Sequence, residues 1–128
     1  MDLKKFDSKT NAEKGVELVL EEKSGTGPGA AITLYGTDSS VCKEKDREIQ
    51  RRNREKKSQL TPEEIEDQLF ERIVAATKGW RGLEEGGKEL AFSPAAAEKL
   101  YRDYPELADK ATTFIFNRAN FFPTASAS

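Results

Sequence analysis

The chain has 128 residues, a net charge of −2, 36% hydrophobic residues and 34% charged residues. This length is typical of one domain with a modest core, and the small net charge argues neither for nor against nucleic acid. There is no histidine, which excludes histidine metal ligands and a histidine general base. Cys42 is the single cysteine, which excludes an internal disulfide. No apolar run reaches the roughly 20 residues of a membrane-spanning helix, and MDLKKF lacks the apolar core of a secretion signal, so we expect a cytoplasmic protein without a membrane partner.

The first part of the chain predicts a β-hairpin after a polar segment. Residues 1–14 are polar, and we expect them to be flexible. Hydrophobic side chains alternate in GVELVLEE and in AAITLY, which is typical of half-buried strands. SGTGPG between them is rich in turn-forming residues. We therefore predict a hairpin over residues 15–35, which must pack on helices or pair with another copy because two strands alone are marginal in water.

A strongly charged helix is predicted over residues 40–57. Eight basic and four acidic residues between 43 and 57 give this segment a local charge of +4. The candidate electrostatic contacts on it are Arg47, Arg51, Arg52 and Arg54. Acids interleave with the bases and no aromatic side chain is present for base stacking, so the pattern favours a solvated helix face with ion pairs over nucleic-acid binding. A further interpretation is docking onto an acidic patch of another copy, such as residues 63–67.

The clearest helix covers residues 62–78 and should be the spine of a helical core over 62–122. Thr61 and Glu64 form a capping-box pattern, acids fall in the first turns, and Gly79 is the predicted stop. Its predicted apolar stripe contains Ile65, Leu69, Ile73, Val74 and Ala76, with Phe70 beside it. At about 1.5 Å per residue this helix is roughly 25 Å long, enough to cross a small domain.

Glycines and prolines divide the rest of the chain. The glycine-rich stretch 81–89 predicts a mobile loop. Two further helices are predicted near 94–103 and 105–119, with a break before Pro105 because the residue before a proline avoids helical angles. The ends, 1–14 and 123–128, are expected to be flexible.

These elements predict one α+β domain over residues 1–128, mainly helical, with the N-terminal β-hairpin packed on a helical bundle. No catalytic constellation, phosphate-binding loop or calcium loop is recognisable in the sequence. The adjacent Glu84 and Glu85 are interpreted as part of a solvated loop. We therefore expect no enzyme, no cofactor and no metal.

The aromatic side chains are the most informative candidates for contacts with a partner. Phe114 and Phe122 fit the apolar face of the last helix, whereas Phe116 falls off that face and Phe121 is not needed by it. Trp80 lies in a glycine-rich corner. Core packing explains most aromatic residues, but large apolar groups at a surface mark interfaces. The candidate partner-binding residues are Trp80, Phe116, Phe121 and Phe122.

Four segments follow one another in a recognisable order over about residues 15–122. They are GVELVLEE; ITLYGTDSS before the arginine-rich helix; VAATKGWRGLEEGGKELAFS; and AAAEKLYRDYPELADKATTFIFNRANFF. This ordered set, with its Gly-Trp corner and its Tyr-Pro break, resembles the tail assembly chaperones of long-tailed bacteriophages.

The resemblance implies a non-enzymatic protein that coats the helical tape measure protein and keeps it soluble until tail-tube subunits polymerise around it. It also implies a location in the host cytoplasm, absence from the finished particle, and self-association into a ring or spiral. In this family a longer form is often made by ribosomal frameshifting, and this chain would be the shorter form. Two alternatives stay open: a structural or completion component of the tail, and a nucleic-acid-binding accessory protein using the basic helix, including Lys56 and Lys57.

Overall fold

The computed structural model describes residues 1–25 and 27–123, and within them it has five α-helices and five short strands. In chain order these are α1 (Lys9–Lys14), β1 (Val16–Glu21), β2 (Ala30–Leu34), α2 (Ser40–Glu55), α3 (Pro62–Ala76), β3 (Thr77–Arg81), β4 (Glu84–Glu85), β5 (Lys88–Glu89), α4 (Pro94–Asp103) and α5 (Pro105–Phe116), with 3-10 turns at Leu3–Phe6 and Arg118–Phe121. The predicted α+β class is confirmed. No helix in the described ranges is long and apolar enough to cross a bilayer.

The predicted hairpin forms two strands of a three-stranded antiparallel sheet with the order β1-β2-β3. The third strand is a correction: the spine helix ends at Ala76 rather than near residue 78, and the chain continues directly as β3. Trp80 pairs with Ile32 and Gly79 with Thr33. Strand pairing prevails here because the second edge of β2 would otherwise leave backbone N–H and C=O groups without partners in a buried strand.

The predicted mobile loop 81–89 is also different in the structure. β4 and β5 pair as a small hairpin, with Glu85 opposite Lys88. The turn between them consists of Gly86 and Gly87, whose φ angles of 60° and 83° are both positive. Two residues with positive φ are what a tight hairpin turn requires, so the glycines specify a turn rather than a mobile segment.

α3 is the central helix, as predicted, since it contacts α2, α4 and α5. Its capping box is confirmed: the hydroxyl of Thr61 accepts from the N–H of Glu64, and the Glu64 carboxylate accepts from the N–H of Thr61, both at 3.1 Å. The predicted apolar stripe is wrong at one end. Ile65, in the first turn, is 56% exposed, whereas Ile73 and Ala76 on the same side of the helix are buried, so the rest of the domain covers only the later turns of this stripe.

The N-terminal segment 1–14 is ordered by contacts with the domain rather than flexible as expected. Ala12 of α1 is fully buried. The hydroxyl of Ser8 donates to the Asp38 carboxylate at 2.5 Å, and Glu13 accepts from both the backbone N–H and the hydroxyl of Ser40. At the other end, residues 124–128 of the predicted flexible tail lie outside the described residues, as does Thr26.

Candidate partner-binding surface

Trp80 is tied into the domain rather than presented to a partner. Its indole N–H donates to the carbonyl oxygen of Leu90 at 2.7 Å. Its ring meets the ring of Phe92 edge-on, with 4.9 Å between the centroids. The side chain is half-buried against the central core. These contacts indicate that Trp80 joins the sheet to the segment after β5.

Phe121 is not available at the surface, which corrects its place among the candidates. It is only 1% exposed and packs edge-on against Phe114, with 5.7 Å between the ring centroids. The chain turns back after α5 through a 3-10 turn, and the Arg118 guanidinium binds the Asp38 carboxylate at 2.9 Å beside it. This turn directs the ring of Phe121 inward. The helical spacing of α5 does not predict this, because the turn lies beyond the end of the helix. The neighbouring Phe122 is half-buried.

Phe116, the last residue of α5, is the candidate aromatic that the structure leaves exposed. Its side chain is 58% accessible. It lies beside a pocket of about 230 Å³ between α2, α3 and α5, whose apolar lining is Cys42, Ile73 and Ile115. Burial raises the pKa of the Cys42 thiol, so this thiol is protonated at neutral pH. Phe116 is thus exposed, as its position off the core stripe of α5 predicts.

The polar lining of this pocket is mostly cationic. It contains Lys43, Lys45, Arg72 and Asp46, which is a net of two positive charges among the described residues. The Asp46 carboxylate is held by the Arg72 guanidinium at 3.2 Å, and Lys45 shares its charge with Glu48 at 3.1 Å. The sequence places Cys42 and Asp46 one turn apart on one helix. Their proximity to Arg72 and Phe116 depends on how three helices pack, which the sequence pattern does not show.

α2 and α3 are joined by polar contacts, and this explains one of the predicted arginines. The Arg52 guanidinium binds both oxygens of the Glu71 carboxylate, at 2.5 and 3.1 Å. Asn53 and Gln68 exchange two amide hydrogen bonds of 3.1 and 2.6 Å. Arg52 therefore belongs to the contact between helices, whereas it was expected to be a free electrostatic contact or part of an ion pair within α2.

The other predicted arginines form a cationic stripe. Spacings of four, four and three residues place Lys43, Arg47, Arg51 and Arg54 on one side of α2, opposite the buried Ile49. Within residues 1–25 and 27–123, none of these four charges makes an ion pair within 4.0 Å. The adjacent side of the helix contains Glu44, Glu48 and Glu55. The stripe is therefore available for an acidic partner but is bordered by acids.

The free edge of β1 carries features that oppose strand addition. Glu17 and Glu21 project from its outer side, and the Glu17 carboxylate is held by Arg81 at 2.8 Å. The register shifts between Val19 and Glu21, which marks a bulge in this edge strand. Charges and bulges at an edge discourage pairing with another strand. An interface built on side chains is therefore better supported than one built on this strand.

Searches for similar proteins give no relative from which to transfer a function. No model of a protein family, no curated protein and no solved structure matches this chain. Within the part of the chain that the structure describes, no three side chains of metal-binding type are grouped closely enough to hold a metal ion.

Proposed function

We propose that this chain is a tail assembly chaperone of a long-tailed bacteriophage, which binds the tape measure protein in the host cytoplasm and is absent from the mature virion. The ordered segments over about residues 15–122 support the family. The structural observation that carries the proposal is that large apolar side chains, above all Phe116 beside its pocket, are exposed on an otherwise strongly charged surface. Such a surface suits a protein whose activity is to bind other proteins.

Weak contacts repeated many times are the physical basis of the proposed activity. Burying one large apolar side chain contributes about 1.5–3 kcal/mol, which alone gives only weak binding. Copies that bind side by side along a long helical client, and that also contact one another, gain avidity. Tail-tube subunits can then displace them one at a time. The charged remainder of each copy keeps the coated client in solution.

Co-expression with the tape measure protein of the same phage tests the proposal. We expect the soluble fraction of the tape measure protein to rise several-fold, and the two chains to co-purify. The control is the same plasmid with an early stop codon in this gene. Unchanged solubility of the client would contradict the proposal.

Mass spectrometry of purified particles separates the chaperone from a structural or completion component of the tail. The proposal predicts that peptides of this chain are absent from mature virions, while peptides of the tail tube are abundant in the same sample. A stoichiometric amount of this chain in the virion would support the structural alternative instead.

A nucleic-acid-binding function is the second candidate, and the unpaired stripe of Lys43, Arg47, Arg51 and Arg54 is the observation that favours it. It predicts that this chain slows the migration of DNA or RNA in gel electrophoresis. This effect should weaken steeply with salt, because phosphate contacts release counterions. Changing Arg47, Arg51 and Arg54 together to glutamate should abolish that retardation. The acids beside the stripe favour the chaperone over this candidate.

A further inference from the structure

We infer that the pocket beside Phe116 binds the first turn of α3 from a second copy of this chain, with Ile65 entering the pocket. This inference rests on the self-association that is part of the proposed function, and it identifies the two surfaces that meet. It explains why Ile65, which follows the apolar spacing of its helix, and Phe116 are both left exposed.

The donor surface is an exposed aliphatic side chain among acids. Ile65 is surrounded in sequence by Glu63, Glu64, Glu66 and Asp67. Two of these four acids already bind Lys56 and Arg102. The other two, Glu63 and Glu66, are exposed and make no ion pair within the described residues. The first turn of α3 therefore offers one branched apolar group with two uncompensated negative charges.

The acceptor pocket matches this donor in size and in apolar character. Its volume of about 230 Å³ is that of roughly eight water molecules, at ~30 Å³ each, which is enough for the four carbons of an isoleucine side chain. Ile73 and Ile115 supply the apolar floor, and the ring of Phe116 stands at the entrance. Insertion of Ile65 would remove both the apolar lining of the pocket and the Ile65 side chain from water.

Charge complementarity selects the same donor. The lining residues Lys43, Lys45 and Arg72, with Asp46, carry a net of two positive charges. Because Glu48 pairs with Lys45, one of these charges, on Lys43, is uncompensated at the pocket among the described residues. The donor brings two unpaired carboxylates at the neighbouring positions. Opposite charges at the rim of an interface fix its register and raise the association rate, and salt screens them.

One chain cannot fill its own pocket. Ile65 and Arg72 are seven residues apart on the same continuous helix, which separates them by about 10 Å along its axis. A rigid helix holds that separation, so a donor must come from another molecule. Each copy carries both a donor and a pocket, and each can therefore contact a further copy through different surfaces.

Cross-linking to the natural cysteine tests the contact directly. Cys42 is the single cysteine and lines the pocket, so Ile65→Cys places a second thiol on the donor. With a short bismaleimide at mildly alkaline pH, and at a protein concentration raised to offset the loss of the isoleucine anchor, we expect Ile65→Cys to give covalent dimers and larger species. Phe6→Cys is the matched control, because Phe6 is 57% exposed and lies outside both surfaces. Equal cross-linking of the two variants would overturn the inference.

Sedimentation of non-covalent variants gives a second, independent test. Ile65→Ala and Phe116→Ala should each raise the dissociation constant of self-association roughly 10- to 100-fold, as expected for a central apolar anchor. Phe6→Ala should leave it unchanged, and circular dichroism should show all three variants folded. Glu66→Lys should weaken association, and mixing it with Lys43→Glu should restore binding between the two variants.

The outcomes distinguish this interface from the proposed function as a whole. If the natural chain associates but Ile65→Ala and Phe116→Ala associate equally well, the copies meet elsewhere and only this inference fails. If the natural chain is monomeric at high concentration, both this inference and the self-association in the proposed function fail. Solubilisation of the tape measure protein is measured separately and decides the chaperone activity itself.

Discussion

Replacing Trp80 with alanine should destabilise the domain rather than abolish a binding surface. The change removes the hydrogen bond from the indole to the Leu90 carbonyl and the edge-on contact with Phe92. Tryptophan-to-alanine changes in a core cost about 3–5 kcal/mol. Because Trp80 is half-buried, we expect a loss at the lower end of that range, about 3 kcal/mol.

The natural domain should tolerate this loss. At about 0.05–0.15 kcal/mol per residue, a chain of 128 residues has a free energy of unfolding of roughly 6–19 kcal/mol. Urea unfolding of Trp80→Ala should be followed by far-ultraviolet circular dichroism, because the change removes the only tryptophan and its fluorescence. Trp80→Phe keeps a ring but loses the N–H donor, and should cost about 1–2 kcal/mol.

Two comparisons make the result decisive. Phe6→Ala, at an exposed position, should change the free energy of unfolding by no more than about 0.5 kcal/mol. A double-mutant cycle of Trp80→Ala with Phe92→Ala should give a coupling energy of about 0.5–1.5 kcal/mol. A loss below about 1 kcal/mol for Trp80→Ala, together with weaker client binding, would refute the structural role given to Trp80.

Two further predictions concern one carboxylate and one pair of glycines. The hydrogen bond from Lys56 lowers the pKa of Glu64 from 4.5 to about 2, so its stabilising contribution is present above pH 4.5 and is lost as the pH falls towards 2. Glu64→Gln should therefore show a shallower loss of unfolding free energy between these pH values in urea titrations, and an unchanged slope would contradict the ion pair. A Cβ at Gly82, where φ is +73°, would lie 2.0 Å from the Gly29 carbonyl oxygen, whereas a Cβ at Gly86, where φ is +60°, would meet no atom within 4 Å. Gly86→Ala should cost about 1–2 kcal/mol for its left-handed backbone, and thermal unfolding should show a distinctly larger loss for Gly82→Ala; equal losses would contradict the close approach of the two chains.

Local signals in the sequence predicted the features that are determined locally. The capping box at Thr61, the start of α5 at Pro105 and the alternation in β1 each depend on a few neighbouring residues, and all three are present in the structure. β3 was missed because its strand conformation depends on pairing with β2, more than forty residues earlier in the chain. The residues around Thr77 favour a helix, but pairing with β2 gives this residue a strand conformation.

The candidate surface was predictable only in part for the same reason. The position of Phe116 off the apolar stripe of α5 indicated its exposure. The burial of Phe121 depends on a tight turn after the helix, and the pairing of Arg52 with Glu71 depends on how α2 lies on α3. Ile65 was expected in the core because helical spacing identifies which residues form a stripe. The spacing does not show how much of that stripe other helices cover.

Sedimentation of a mixture of this chain with the purified tape measure protein shows whether the chain coats that protein. We expect a soluble complex that contains many copies of this chain per tape measure molecule, with the number of copies increasing with the length of the client. A tape measure protein that sediments alone, or aggregates equally in the presence and absence of this chain, would mean that the chain is not its chaperone.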